Sequence, residues 1–233
     1  MQHVRNAWVA GLFLLIWSQA GVGLLLWLQP DVPQWLQWWA FATAFLYGFR
    51  ALVLNEVSEW TGFMFVSLLA LFWFLPVERI PAPEAHMLAL VAVAPLVVLR
   101  TLSGLMAARF GSAYLGLVGG LVHGYPRLSG LVALGILAAI ATPPFPLFFH
   151  LVELLGLLPF SMAVALVTVW YFWGWAGVRL LQRLVLGPEQ WPQYGIGRGT
   201  PDLSRAGMWT LASVFVGLAV IGLREAMQLA GAG

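Results

Sequence analysis

The sequence contains no cysteine and no lysine, and only 9% of its 233 residues are charged. Without cysteine there is no disulfide framework, no thiolate metal site and no thiolate-held iron–sulfur cluster, and nothing marks a redox compartment. All eleven basic residues are arginine. Arginine keeps its charge under nearly all conditions, so the chain has no lysine whose proton affinity could be tuned for transfer. Charged residues make up about 25% of a soluble domain. A chain this poor in charge cannot clothe a single soluble core.

What is present is apolar: 61% of the residues are hydrophobic. They fall into successive runs of about 17–25 residues, the length that crosses about 30 Å of hydrocarbon at 1.5 Å per residue. The reading is an all-α, polytopic membrane bundle of about seven to eight transmembrane helices, one of them broken by proline. Spans are predicted at about 7–28, 34–54, 60–77, 87–106, 128–157 (interrupted), 159–182 and 207–223. Short polar separators rich in proline or glycine, such as NEVSE and ERIPAPEAH, leave no room for a domain outside the membrane. The N-terminal run carries Ser18-Gln19-Ala20, which resembles a cleavage site. GVGLLLWL follows at once, so the expected element is an uncleaved first span rather than a signal peptide. The pI of about 9.4 rests on few charges and bears on membrane orientation, not on nucleic acid.

Arginines sort by side in this scheme. Arg5, Arg50, Arg100, Arg109, Arg127, Arg179, Arg183, Arg198 and Arg205 fall on one side, and Arg79 and Arg224 on the other. The expected setting is a prokaryotic inner membrane, and the positive-inside rule then places the N-terminus on its cytoplasmic side. Trp35, Trp38, Trp39, Trp60, Trp191 and Trp209 lie near predicted span ends, where indole rings anchor in the headgroup layer. Ala40, Ala44 and Gly48, and again Gly116 and Gly120, recur every four residues. They offer small faces for close helix approach, within the chain or against a partner.

Chemistry concentrates in ATPPFPLFFHLVELLG, residues 141–156. Pro143, Pro144 and Pro146 remove backbone donors and obstruct a regular helix. Carbonyls freed in hydrocarbon cost several kcal/mol each, roughly, so the break has to face protein or a hydrated cavity. His150 and Glu153 are three residues apart and share a helical face beside that break. A carboxylate at membrane depth is a functional hypothesis by default. There the opposing pulls of burial and nearby charge suit proton uptake and release. Arg100 sits inside a continuing apolar run, five residues after Pro95, and is a candidate counter-ion for Glu153. Arg50, Arg179 and Arg183, near span ends, read as snorkelling side chains. His3, His86, His123 and His150 are scattered with no helical pairing, so no haem or zinc site is expected, and no cofactor. G-L-V-G-G at 116–120 lacks the Lys-Ser/Thr of a phosphate loop, and there is no G-x-S-x-G elbow.

The C-terminal half of the chain resembles the C-terminal half of the antiporter-like membrane subunits of respiratory complex I and the related Mrp-type cation/proton antiporters. Four segments carry the resemblance, in order: YLGLVGGLVHGYPRLSG (114–130), ATPPFPLFFHLVEL (141–154), ALVTVWYFWGWAGVRLLQRLVLGP (165–188) and PDLSRAGMWTLASVFVGLAVIGL (201–223). Residues 141–154 are similar to the family's element on a discontinuous helix. There an ionisable residue follows a Phe-Phe pair; here Leu151 stands where a lysine is expected, and His150 or Glu153 would take its place. The resemblance divides the chain into a four-span region, 1–110, and an antiporter-like region, 111–233. It implies a subunit of a larger ion-translocating complex with other membrane subunits as partners and protons or a small cation as cargo. The parent would be a quinone-oxidoreductase-type or Mrp-like assembly, or an inorganic-carbon uptake system. A subunit that keeps the helices only for docking is the alternative, and no catalytic activity is expected of the chain alone.

Overall fold

The longest helix shows how the chain builds its elements. α4, Ala82–Phe110, has proline in its first turn, Glu84 beside it, Arg109 in its last turn and Gly111 at φ 81° just beyond. Proline pre-sets the first turn, acid and base oppose the helix dipole, and a left-handed glycine ends the helix. Its apolar residues face all directions, the pattern of a helix surrounded by others; 72% of its membrane-length window is buried, against 17% for the last helix.

This computed structural model describes residues 2–28, 33–74, 81–188 and 201–231. They are helical, with no strand among them: α1 Gln2–Leu28, α2 Gln34–Ala51, α3 Val57–Leu71, α4, the single turn α5 Leu121–Gly124, α6 Pro126–Ala139, α7 Pro146–Leu157, α8 Phe160–Leu180 and α9 Arg205–Gly231. α8 continues into a π-type turn over Leu181–Val185. Four helical stretches are long and apolar enough to cross a membrane: Asn6–Trp27, Ala82–Phe110, Phe160–Val185 and Arg205–Gly231. α3, α6 and α7 are apolar but shorter.

Specific contacts fix the directions. Gln19 of α1 bonds His86 near the start of α4, and Gly11 lies against Val97, so α1 and α4 are antiparallel. The Ser67 hydroxyl donates to the Ala44 carbonyl and accepts from the Trp173 indole, tying α2, α3 and α8 together in the core. α6 and α7 follow α9 in one direction. The Asp202 carboxylate accepts from Arg127 N and Leu128 N at the start of α6, Phe215 lies by Gly135, Gly222 by Pro144, and Glu225 by His150. The interrupted segment therefore runs past α9 once, without doubling back. α8 returns against it, with Gly177 beside Ile140 and Ile136.

These directions gather one end of the bundle from Arg50, Arg109, Arg127, Arg179, Arg183 and Arg205. Leu115 N donates to Asn55 O at 2.8 Å and Arg179 to Asn55 Oδ1 at 3.4 Å, joining its loops. Glu84, Glu153 and Glu225 lie at the other end. Packing of α2 on α8 and of α4 on α6 crosses the expected boundary at residues 110 and 111.

Two sequence expectations change. Trp60 is 1% exposed and belongs to the core, whereas Trp35, Trp38, Trp39 and Trp209 are exposed; α3 begins at Val57, which carries position 60 beneath the loops rather than to a rim. Gly116 and Gly120 lie in the non-helical stretch before α5, with Gly120 at φ 70°, so they form no helix face. The Ala40, Ala44, Gly48 face is buried within the chain, where Gly48 meets Trp173. Arg79, Trp191 and Arg198 lie outside the described residues.

Candidate functional site

The site begins with the prolines. Pro143, Pro144 and Pro146 cannot donate to the carbonyls of Ala139, Ile140 and Thr142. α6 accordingly ends at Ala139, and α7 restarts with Pro146 in its first turn, where a missing N–H costs nothing. Between them Ala141 takes φ 55° and the Pro143–Pro144 peptide is cis. Protein supplies replacement donors to the Ile140 and Thr142 carbonyls and to Leu137 one turn earlier. The Trp170 indole reaches Ile140 O at 3.1 Å, Phe145 N reaches Thr142 O at 3.1 Å, and both the N–H and the hydroxyl of Thr142 reach Leu137 O. Of the two environments open to the broken backbone, these carbonyls have the protein one.

α7 carries His150 and Glu153 into a cleft of about 540 Å³ between the start of α4 and the end of α9. Glu84, Arg224, Glu225 and Gln228 share that cleft, with apolar walls from Leu88, Phe149 and Ile221. His150 Nε2 lies 3.1 Å from Glu225 Oε1, the one ion pair among the described residues when the imidazole is protonated. The two side chains are 29% and 20% exposed, so the pair is largely removed from bulk solvent. Among the described residues, Glu225 Oε2 is buried without a hydrogen-bond partner. Leaving such an atom unpaired costs about 1–3 kcal/mol, more when charged, a cost that a proton or cation arriving through the cleft would offset.

Glu153 lines the same cleft but is exposed. His150 and Glu153 are thus brought together, while the imidazole's partner is Glu225. Sequence reading misses that residue because it ends the last span at residue 223; α9 continues to Gly231. The signal is present: Gln228 lies three residues after Glu225 and four after Arg224, so the three make a polar face on an otherwise apolar helix.

Arg100 lies elsewhere. It is sixteen residues along α4 from Glu84, about 24 Å at the rise of a helix, and lines a separate cleft of about 320 Å³ with Ser58, Glu59 and Thr61. Its side chain makes no hydrogen bond or ion pair among the described residues. Other arginines are engaged: Arg50 lies over the Phe63 ring and Arg179 donates to Asn55. Among the described residues, His, Asp and Glu nowhere gather in threes fit to hold a metal ion.

No protein-family model matches this sequence, and no curated protein matches it.

Proposed function

We propose that the chain is a membrane subunit of a larger ion-translocating, energy-coupling complex, contributing half of a proton path. The observation that carries this reading is the His150–Glu225 contact at 3.1 Å, set in a cleft at the far end of a broken helix. An imidazole and a carboxylate in contact form the smallest relay that passes a proton between two sites. Glu153 and Glu84 stand in the same cleft as acceptors toward its mouth. Beyond the pair, toward the arginine-rich end, the interior is lined by Leu99, Leu102, Val132 and Ile136, all buried. A proton leaving the pair therefore needs a continuation supplied by a partner subunit. The proposed setting is a prokaryotic inner membrane, crossed seven times with α6 and α7 as one composite span, the arginine-rich end and N-terminus facing the cytoplasm.

A second reading, a non-conducting scaffold of such a complex, draws support from the break itself. The donors found for the Ile140 and Thr142 carbonyls are protein groups, so most of it can persist without admitting water. Proton flux in vesicles made from membranes holding the native assembly separates the two. Loss of flux in Glu225→Gln and His150→Ala, with assembly intact, supports conduction. Wild-type flux in both assembled variants removes that role and leaves the scaffold.

A further inference from the structure

α9 meets the helix break at Gly222. A Cβ built there would lie 2.0 Å from the Pro144 carbonyl oxygen and 3.0 Å from carbonyl carbons of Pro144 and Phe145. Those atoms are backbone, so no rotamer change relieves the overlap; the helix or the break must move. Three residues on, and therefore on the same side of α9, stands Glu225, whose Oε1 is 3.1 Å from His150 Nε2.

We infer that Gly222 is the positioning residue of the His150–Glu225 pair: the missing side chain lets α9 lie directly on the carbonyl of the broken helix, and that depth and register bring Glu225 to His150. A carbon seated on a carbonyl oxygen needs about 3.3 Å, so a methyl group at 222 drives the two backbones apart by more than an ångström. A contact of 3.1 Å lengthened by that amount is no longer a hydrogen bond. The charged groups that face His150 across the cleft are Glu225 and Arg224 from α9, Glu84 from α4 and, on its own helix, Glu153. Glu225 is the one within contact distance, so its placement decides what the imidazole pairs with. Gly222 governs how the pair is held, whether or not the pair conducts.

The absence of native cysteine makes the test direct. In the full chain, His150→Cys and Glu225→Cys are joined with a short bifunctional thiol reagent, with and without Gly222→Ala. The expected result is a roughly tenfold lower cross-link yield, the change that about 1.4 kcal/mol makes in an equilibrium. Gly217→Ala makes the same chemical change on the same helix where a Cβ meets nothing within 4 Å, and the yield should stay at the parent value. Cysteines at Gln19 and His86, whose side chains touch at 2.8 Å between α1 and α4, report in each background that the fold is kept. An unchanged 150–225 yield in Gly222→Ala overturns the inference. Where Gly222→Ala loses the 19–86 link as well, the deciding measurement keeps Gly222 and moves the α9 cysteine through 223, 225 and 227 against His150→Cys. A maximum at 225 supports the assigned register, and a maximum at 223 or 227 overturns it.

Discussion

Two polar clefts flank α4, one near its start and one well along it, and they handle charge in opposite ways. The cleft of about 540 Å³ rests on a helix broken at three prolines and holds a His–Glu pair drawn from two helices. The cleft of about 320 Å³ rests on an unbroken helix, and its Arg100 is unpaired among the described residues. Proline is present in both: α4 contains Pro95 and stays helical from Ala82 to Phe110. One proline removes one donor, and surrounding helices can hold the rod in line. Three prolines in four positions remove donors from one and the same turn, and the chain there abandons helical geometry. The comparison teaches that a break is useful when another helix can exploit it. α9 approaches the broken turn at Gly222 and so delivers a carboxylate to His150, whereas the arginine of the intact helix has no ion-pair partner among the described residues.

The difference can be tested by removing what maintains each side of it. The largest effect is expected at the break. Trp170→Phe keeps an aromatic ring against Phe148 but removes the donor to Ile140 O, leaving a buried carbonyl unpaired. A loss of about 1–3 kcal/mol is expected, read as a lower midpoint in denaturant unfolding of the purified protein. A midpoint equal to wild type would mean that another donor, water included, serves that carbonyl.

Next in size is the pair. Glu225→Gln removes the charge opposite His150 and is expected to cost about 1 kcal/mol. Glu153→Gln, at an exposed position, should fall within about 0.5 kcal/mol of wild type. Equal losses from the two substitutions would contradict the assignment of Glu225 as the imidazole's partner. The smallest effect is predicted for Arg100→Leu. With no side-chain hydrogen bond or ion pair to another described residue to lose, the change should leave unfolding within about 0.5 kcal/mol of wild type. A loss above about 2 kcal/mol would reveal a ligand or partner of the guanidinium and erase the contrast between the clefts.

Much of the frame was legible in the sequence, because length and apolarity act locally. The interruption at Pro143, Pro144 and Pro146 was readable for the same reason: a missing N–H is a property of the residue itself. The start of α6 was readable to within two residues, but what caps it was not. Its N-terminus is capped by Asp202, 75 residues from Arg127 in the chain, a connection that periodicity cannot express. Trp60 was misplaced because its position near a helix end says nothing about the loops folded over it. The site was half legible. His150 and Glu153 share a face by spacing alone, but the partner of His150 came from α9, beyond the end of the apolar run.

By itself the sequence determined that this chain is helical, apolar enough for several of its helices to cross a bilayer, and broken at one cluster of prolines. Composition, run length and proline chemistry are carried by each residue wherever it folds. Only the tertiary structure decided which carboxylate meets His150, that Arg100 stands apart, and that Trp170 repairs the break. Those outcomes depend on how far α9 continues, how deeply Gly222 lets it dock and which helix α8 passes, and such distances exist only once the helices have packed.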